Sequence, residues 1–193
     1  MANQPKILAF AGSTRDASFN KKLVKIAIEG ARKAGAEVNY IDLKDYPMPL
    51  FDQDYEAKKG IPENAKKVKK MMVESDGFLI SAPEYNSSIT PLLKNTIDWA
   101  SRAESKDEPP LSAYKGKCAA IMSASPGGLG GLRGLVHVRS ILENIGVIVL
   151  PNQRAIGSAY DAFDETGNLK DNKQQSSVEG LGEQLAKLIK KLK

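Results

Sequence analysis

Nine residues near the start of the chain, Gly12-Ser-Thr-Arg-Asp-Ala-Ser-Phe-Asn20, carry hydrogen-bond donors at a density suited to an anion. They stand between an apolar run, residues 7–11, and an amphipathic segment that starts at Lys21. A strand that feeds a polar loop and then opens a helix presents unpaired backbone N–H groups and partial positive charge at the helix start. Ser13, Thr14, Ser18 and Asn20 can add side-chain donors, and Arg15 adds a planar positive fork matched to phosphate oxygens. Taken singly, Ser13 and Ser18 are ordinary helix caps and Arg15 is a surface residue. Gathered in one strand-to-helix loop, they read as a phosphomonoester cradle. The stretch has neither the G-x-G-x-x-G of dinucleotide-binding folds nor the Gly-Lys-Ser/Thr ending of a P-loop, so it relies on side chains more than on bare backbone.

Two other loops carry chemistry. Pro83-Glu-Tyr-Asn-Ser-Ser-Ile-Thr-Pro91 offers backbone amides, the Asn86 amide and an aromatic ring, Tyr85, which suits a flat heteroaromatic ligand with polar edges. Ser123-Ala-Ser-Pro-Gly-Gly-Leu-Gly-Gly131 lets backbone approach such a ligand without Cβ obstruction, with Ser123, Ser125 and Gly127 as its candidate contacts. A phosphate at one end and a flat polar ring at the other describe FMN.

The elements that must position these loops follow from the pattern between them. Helical spacing runs over residues 21–34, stopped by Gly35, and again over 62–74, 91–102, 132–145 and the C-terminal segment with Leu181, Leu185, Leu188, Ile189 and Leu192. Short apolar runs at 7–11, 38–43, 77–82, 118–123 and 147–150 read as strands. Five strands alternating with helices predict one domain over residues 1–193, an open, doubly wound α/β parallel sheet with helices on both faces. Ligands of such sheets bind outside the carboxyl ends of the strands, where the loops after the first, third and fourth strands converge. Residues 46–52, with two prolines, read as a loop with exposed or partner-facing apolar groups, and 162–175 as a polar surface excursion.

Composition sets the outer bounds. The chain has 193 residues and a net charge of +5, which helps attract anionic cofactors. The lysine-rich tail reads as the solvated face of an amphipathic helix, so neither a nucleic acid nor a membrane is the expected partner. No apolar run approaches the roughly 20 residues that cross a bilayer, and one cysteine, Cys118, excludes an internal disulfide. The expected location is cytoplasmic. No group of His, Cys and carboxylates has metal-ligand spacing. His137 reads as a core or surface residue, Cys118 as a packing cysteine, and Glu84 and Asp98 as local caps or pairs.

At Gly-Ser-Thr-Arg-Asp-Ala-Ser-Phe-Asn20, at Pro83-Glu-Tyr-Asn86 running into Leu93-Lys-Asn-Thr-Ile-Asp-Trp99, and at Ser125-Pro-Gly-Gly with Arg133 beyond it, the chain resembles the NADPH-dependent FMN reductase family, which includes bacterial chromate and quinone reductases. The resemblance implies a flavodoxin-like doubly wound five-stranded parallel sheet of order 2-1-3-4-5, and that Ser13, Arg15, Ser18, Phe19 and Asn20 hold the phosphate end of FMN. It places Pro83, Glu84, Tyr85 and Asn86 along the ring edge, with Ser125 and Gly127 near the opposite side. It implies an oxidoreductase in which NADPH or NADH reduces FMN and a small-molecule acceptor (a quinone, azo dye, free flavin or chromate) takes the electrons, with no catalytic amino acid. It also implies a homodimer or homotetramer, with residues 46–51 and 91–102 as candidate contacts unless they only cover the protein's own core. The rival classes are a flavodoxin-like electron carrier and a flavin-dependent sensor. Arg133, Arg139 and Arg154 are each open to a nucleotide 2′-phosphate or to surface pairs.

Overall fold

The computed structural model describes residues 4–193. In chain order the elements are β1 (Lys6–Ala11), α1 (Phe19–Lys33), β2 (Glu37–Tyr40), α2 (Gln53–Lys59), α3 (Glu63–Val73), β3 (Gly77–Ser81), β4 (Glu84–Tyr85), β5 (Ser88–Ile89), α4 (Pro91–Ala100), β6 (Cys118–Ala124), α5 (Leu132–Asn144), β7 (Ile148–Val149), β8 (Arg154–Ile156), α6 (Ala159–Ala162) and α7 (Asn172–Leu192). The main sheet runs β2-β1-β3-β6-β7, all parallel, with β8 also pairing β6. Counted without the small β4–β5 hairpin, this is the expected order 2-1-3-4-5.

Continuous apolar strands make sense of the layering. Along β1, Ile7, Ala9 and Ala11 join the core under α1 and α7, while Leu8 and Phe10 join the core under α3, α4 and α5. Both faces of the central strands are therefore buried, as parallel sheets require. α1 and α7 cross closely enough that a Cβ on Gly30 would lie 1.8 Å from Glu179 O, and one on Gly182 1.9 Å from Ala27 O. That crossing fixes α1, and with it the loop at its start.

Three elements differ from the sequence expectation. The fifth strand, expected at 147–150, is split: β7 pairs the beginning of β6 and β8 pairs its end, with Pro151 between them at the sheet edge, where a residue without an N–H is tolerated. The loop after β3 contains the antiparallel β4–β5 hairpin, turned by Asn86 (φ 49°) and Ser87 (φ 67°). Residues 53–59 form the helix α2, capped by Asp52, whose Oδ1 accepts from Tyr55 N at 2.7 Å.

The segment 46–51 folds back on its own domain. Trp99 Nε1 and Asn95 Nδ2 donate to Pro49 O at 2.8 and 2.9 Å, Phe51 N donates to Asn95 Oδ1, and the Phe51 ring stands edge-on to Trp99 at 5.0 Å. Phe51 and Trp99 thus cover each other, while Leu50 is left outward, 75% exposed.

Candidate active site

At the carboxyl end of the sheet the three loops meet. Ser13, Arg15, Ser18, Phe19 and Asn20 from the first, Pro83, Glu84 and Tyr85 from the second, and Ala124, Ser125 and Pro126 from the third line one cleft of about 210 Å³. A larger recess, about 640 Å³, lies between α3 and residues 104–112, but its buried groups are spent on each other. There Lys69 pairs with Glu108 at 2.5 Å and donates to Arg102 O.

The cradle end is built on the start of α1. Ser18 holds the N-cap position in an extended conformation, yet its side chain caps nothing, and no acidic residue stands in the first turn. The first intrahelical bond of the cap is Lys22 N to Ser18 O, so the N–H groups of Phe19, Asn20 and Lys21 have no carbonyl one turn back. Arg15 makes no ion pair among the described residues, and its guanidinium lies 5.4 Å from the Phe19 ring centroid. Ser13 Oγ accepts from Arg15 N at 3.3 Å, which folds the loop over the helix start. A serine that could cap and does not, beside an unpaired arginine and open N–H groups, is a donor set that could hold a phosphate.

Asn20 departs from the expectation. Its Oδ1 accepts from Ser81 Oγ at 2.8 Å and from Ala124 N at 3.0 Å, and its Nδ2 donates to Ala124 O at 2.8 Å. The buried carboxamide is a rivet between the ends of β3 and β6, so only its backbone N–H is left for a phosphate.

Glu84 lines the cleft, but its carboxylate is engaged elsewhere. Its Oε1 accepts from Arg133 Nε and Nη2 at 2.9 and 2.6 Å, and its Oε2 accepts from Gly134 N at 2.9 Å. Since Gly131 caps α5 without a side chain, Glu84 supplies the missing cap from another loop and locks the hairpin to α5. Burial raises the Glu84 carboxyl, but the Gly134 N–H and the Arg133 guanidinium lower it more, leaving it below its ordinary value. A carboxyl lowered on folding stabilises above its unfolded value and loses that contribution as pH falls through the folded one. The gap in melting temperature between wild type and Glu84→Gln should therefore be present at pH 7 and close below about pH 4. A gap that stays constant in melts from pH 7 to pH 3 would contradict the clamp.

Three expected contacts do not line the cleft. Ser123 is fully buried inside β6, and its unpartnered Oγ faces Gly131, where an added Cβ would lie 2.0 Å away. Asn86 sits at the hairpin tip, and the Gly127 carbonyl is used by Gly130 N at 3.1 Å. In the third loop Ala124 and Pro126 flank Ser125 at the cleft, and one lining residue, Tyr160 of α6, comes from outside the three loops.

The other candidates have structural employment. Arg139 donates to Leu150 O and Gln153 Oε1, Arg154 to Gln153 O and Ser177 Oγ, and Arg133 to Glu84. Asp98 pairs with Lys94 at 2.7 Å, and His137 Nδ1 lies 2.9 Å from Ser88 Oγ. Burial, helped by Asp76, pushes the Cys118 thiol up, which suits a packing role.

Comparison with known proteins finds relatives over most of the chain. The family model for NADPH-dependent FMN reductase matches residues 5–161. An NAD(P)H-dependent FMN reductase of Pseudomonas aeruginosa is 34% identical over 180 residues, covering 93% of this chain and 92% of the relative. An NAD(P)H:quinone oxidoreductase of Solanum tuberosum is 34% identical over 200 residues, covering 100% and 98%. Among solved structures, the flavoenzyme NAD(P)H:(acceptor) oxidoreductase of Paracoccus denitrificans superposes with a TM-score of 0.80 at 27% identity, covering 97% of this chain and 98% of that one. The chain therefore belongs to the NADPH-dependent FMN reductase family, flavodoxin-like oxidoreductases that use FMN with NAD(P)H as co-substrate.

Proposed function

We propose that this protein moves electrons from NAD(P)H to small-molecule acceptors, quinones first among them, with FMN in the cleft between the three loops. The observation that carries the reading is the uncapped start of α1, where Ser18, Arg15 and open N–H groups converge without a protein partner. When bound, FMN supplies hydride acceptance from a nicotinamide and electron donation to an acceptor. The protein's residues bind and orient. Ser13, Arg15, Ser18 and the first N–H groups of α1 take the phosphate, and the backbones of residues 83–85 and 124–126 hold the polar edge of the ring. Asn20 and Glu84 keep the three loops in register from behind.

A quinone is favoured because the potato relative is named for that reaction. Chromate, azo dyes and free flavin are further acceptors to be assayed. Leu50, together with Leu132 and Val136 on α5, leaves apolar surface outward, which supports a homodimer or homotetramer, to be read by light scattering on the eluting protein. No helix among the described residues is long and apolar enough to cross a membrane. A cytoplasmic site of action fits that and the lone buried Cys118.

The test is anaerobic. FMN-loaded protein mixed with NADPH should lose its visible flavin absorption rapidly and regain it on addition of a benzoquinone. Flavin that stays oxidised with both NADPH and NADH would instead favour a carrier or sensor.

A further inference from the structure

Tyr160 is the cleft residue that none of the three loops contributes. It stands on α6, just after β8, and is 70% exposed. Its backbone is nevertheless tied down against the third loop: Ala159 N donates to Ser125 O at 3.1 Å and Ser158 N to Gly127 O at 3.4 Å. The approach is close enough that a Cβ on Gly157 would lie 2.6 Å from Gly128 O. Ser158 occupies the left-handed region, φ 47° and ψ 44°, where a residue with a Cβ is held only against strain. Backbone strain and a forced glycine together present an aromatic ring at the mouth of the cleft.

The ring has a defined neighbour. It meets Phe19 edge-to-face, with centroids 5.2 Å apart and planes at 88°. Phe19 stacks in turn on Phe163 at 5.5 Å, and the Arg15 guanidinium stands 5.4 Å from the Phe19 centroid. The Tyr160 hydroxyl makes no hydrogen bond among the described residues, so the ring is the part in use. Tyr160, Phe19 and Arg15 form one chain of contacts that ends at the free donors of Ser13 and Ser18.

We propose that Tyr160 is an aromatic clamp over the phosphate end of the FMN site, one that keeps Phe19, and through it Arg15, in place and slows release of the cofactor. The inference rests on the FMN reading above. It assigns to the segment after β8 a share in cofactor retention, and that share is specific to the phosphate-bearing flavin.

Flavin fluorescence titrations of wild type, Tyr160→Ala and Tyr160→Phe test it, each with FMN and with riboflavin. The expected result for Tyr160→Ala is an FMN affinity weaker by about three- to tenfold through faster release, the scale of one lost aromatic pair. Its riboflavin affinity should be little changed, and Tyr160→Phe should behave as wild type with both. Wild-type FMN affinity in Tyr160→Ala would overturn the clamp and leave the FMN reading standing. Equal losses for FMN and riboflavin would overturn its placement at the phosphate end. Failure of the wild-type protein to bind FMN would overturn the clamp and the FMN reading together. An unchanged thermal melt of Tyr160→Ala, expected for so exposed a side chain, separates all of these from misfolding.

Discussion

Replacing Arg15 with alanine should weaken FMN binding on the order of a hundredfold and leave the thermal melt unchanged. The size follows from what the guanidinium can give a phosphate dianion: two charge-assisted hydrogen bonds in a fixed fork, beside a helix start that already favours negative charge. The unchanged melt follows from its surroundings. Arg15 is exposed, pairs with no carboxylate among the described residues and touches the fold through the Phe19 ring. Arg15→Lys should recover part of the loss, since an ammonium keeps the charge but not the fork. Titration of both variants with FMN checks this, and a wild-type affinity in Arg15→Ala would remove the residue from the cradle.

Gly182→Ala should cost about 3 kcal/mol and lower the melting temperature by roughly 6–12 °C. The added Cβ would stand 1.9 Å from Ala27 O and 2.8 Å from Ala31 N, both backbone atoms of α1, so the two helices must separate. Because the cradle sits at the other end of α1, FMN affinity should fall along with stability. Gly180→Ala, on the same helix, is the control. Its Cβ would meet only Gln184 Nε2 at 3.9 Å, and exchanging a mid-helix glycine for alanine should stabilise by about 0.5–1 kcal/mol. Differential scanning calorimetry on the pair checks both signs. A Gly182→Ala melt at or above that of wild type would mean that α1 and α7 are not locked at this crossing.

The parts of this molecule that are legible in its sequence are those set by periodicity and by residue type. Continuous apolar runs gave the buried parallel strands, and the density of donors gathered at residues 12–20 pointed to the proposed cradle. What stayed hidden depends on contacts distant along the chain. The Asn20 carboxamide looks like a ligand until Ser81 and Ala124 are seen to consume it. Glu84 looks like a ring contact until the sidechain-free cap of α5 gives its carboxylate a reason to face Gly134 and Arg133.

The hairpin after β3 escaped notice because its turn is Asn86-Ser87 rather than Asn-Gly. α2 escaped because it buries no residue and so shows no apolar stripe, although Asp52 at its cap was a usable signal. Tyr160 could not be read at all. Its neighbours carry no periodic pattern, and its place at the cleft is set by how β8 and α6 lie against the third loop.

The most direct test of the account compares FMN with riboflavin on the unmodified protein by fluorescence titration. The two ligands share the ring and differ in the phosphate, so their affinity ratio isolates what the start of α1 contributes. The donors of Ser13, Arg15, Ser18 and the first turn of α1 predict a preference for FMN of at least a hundredfold, on the order of two charge-assisted hydrogen bonds. Equal affinities would contradict the cradle.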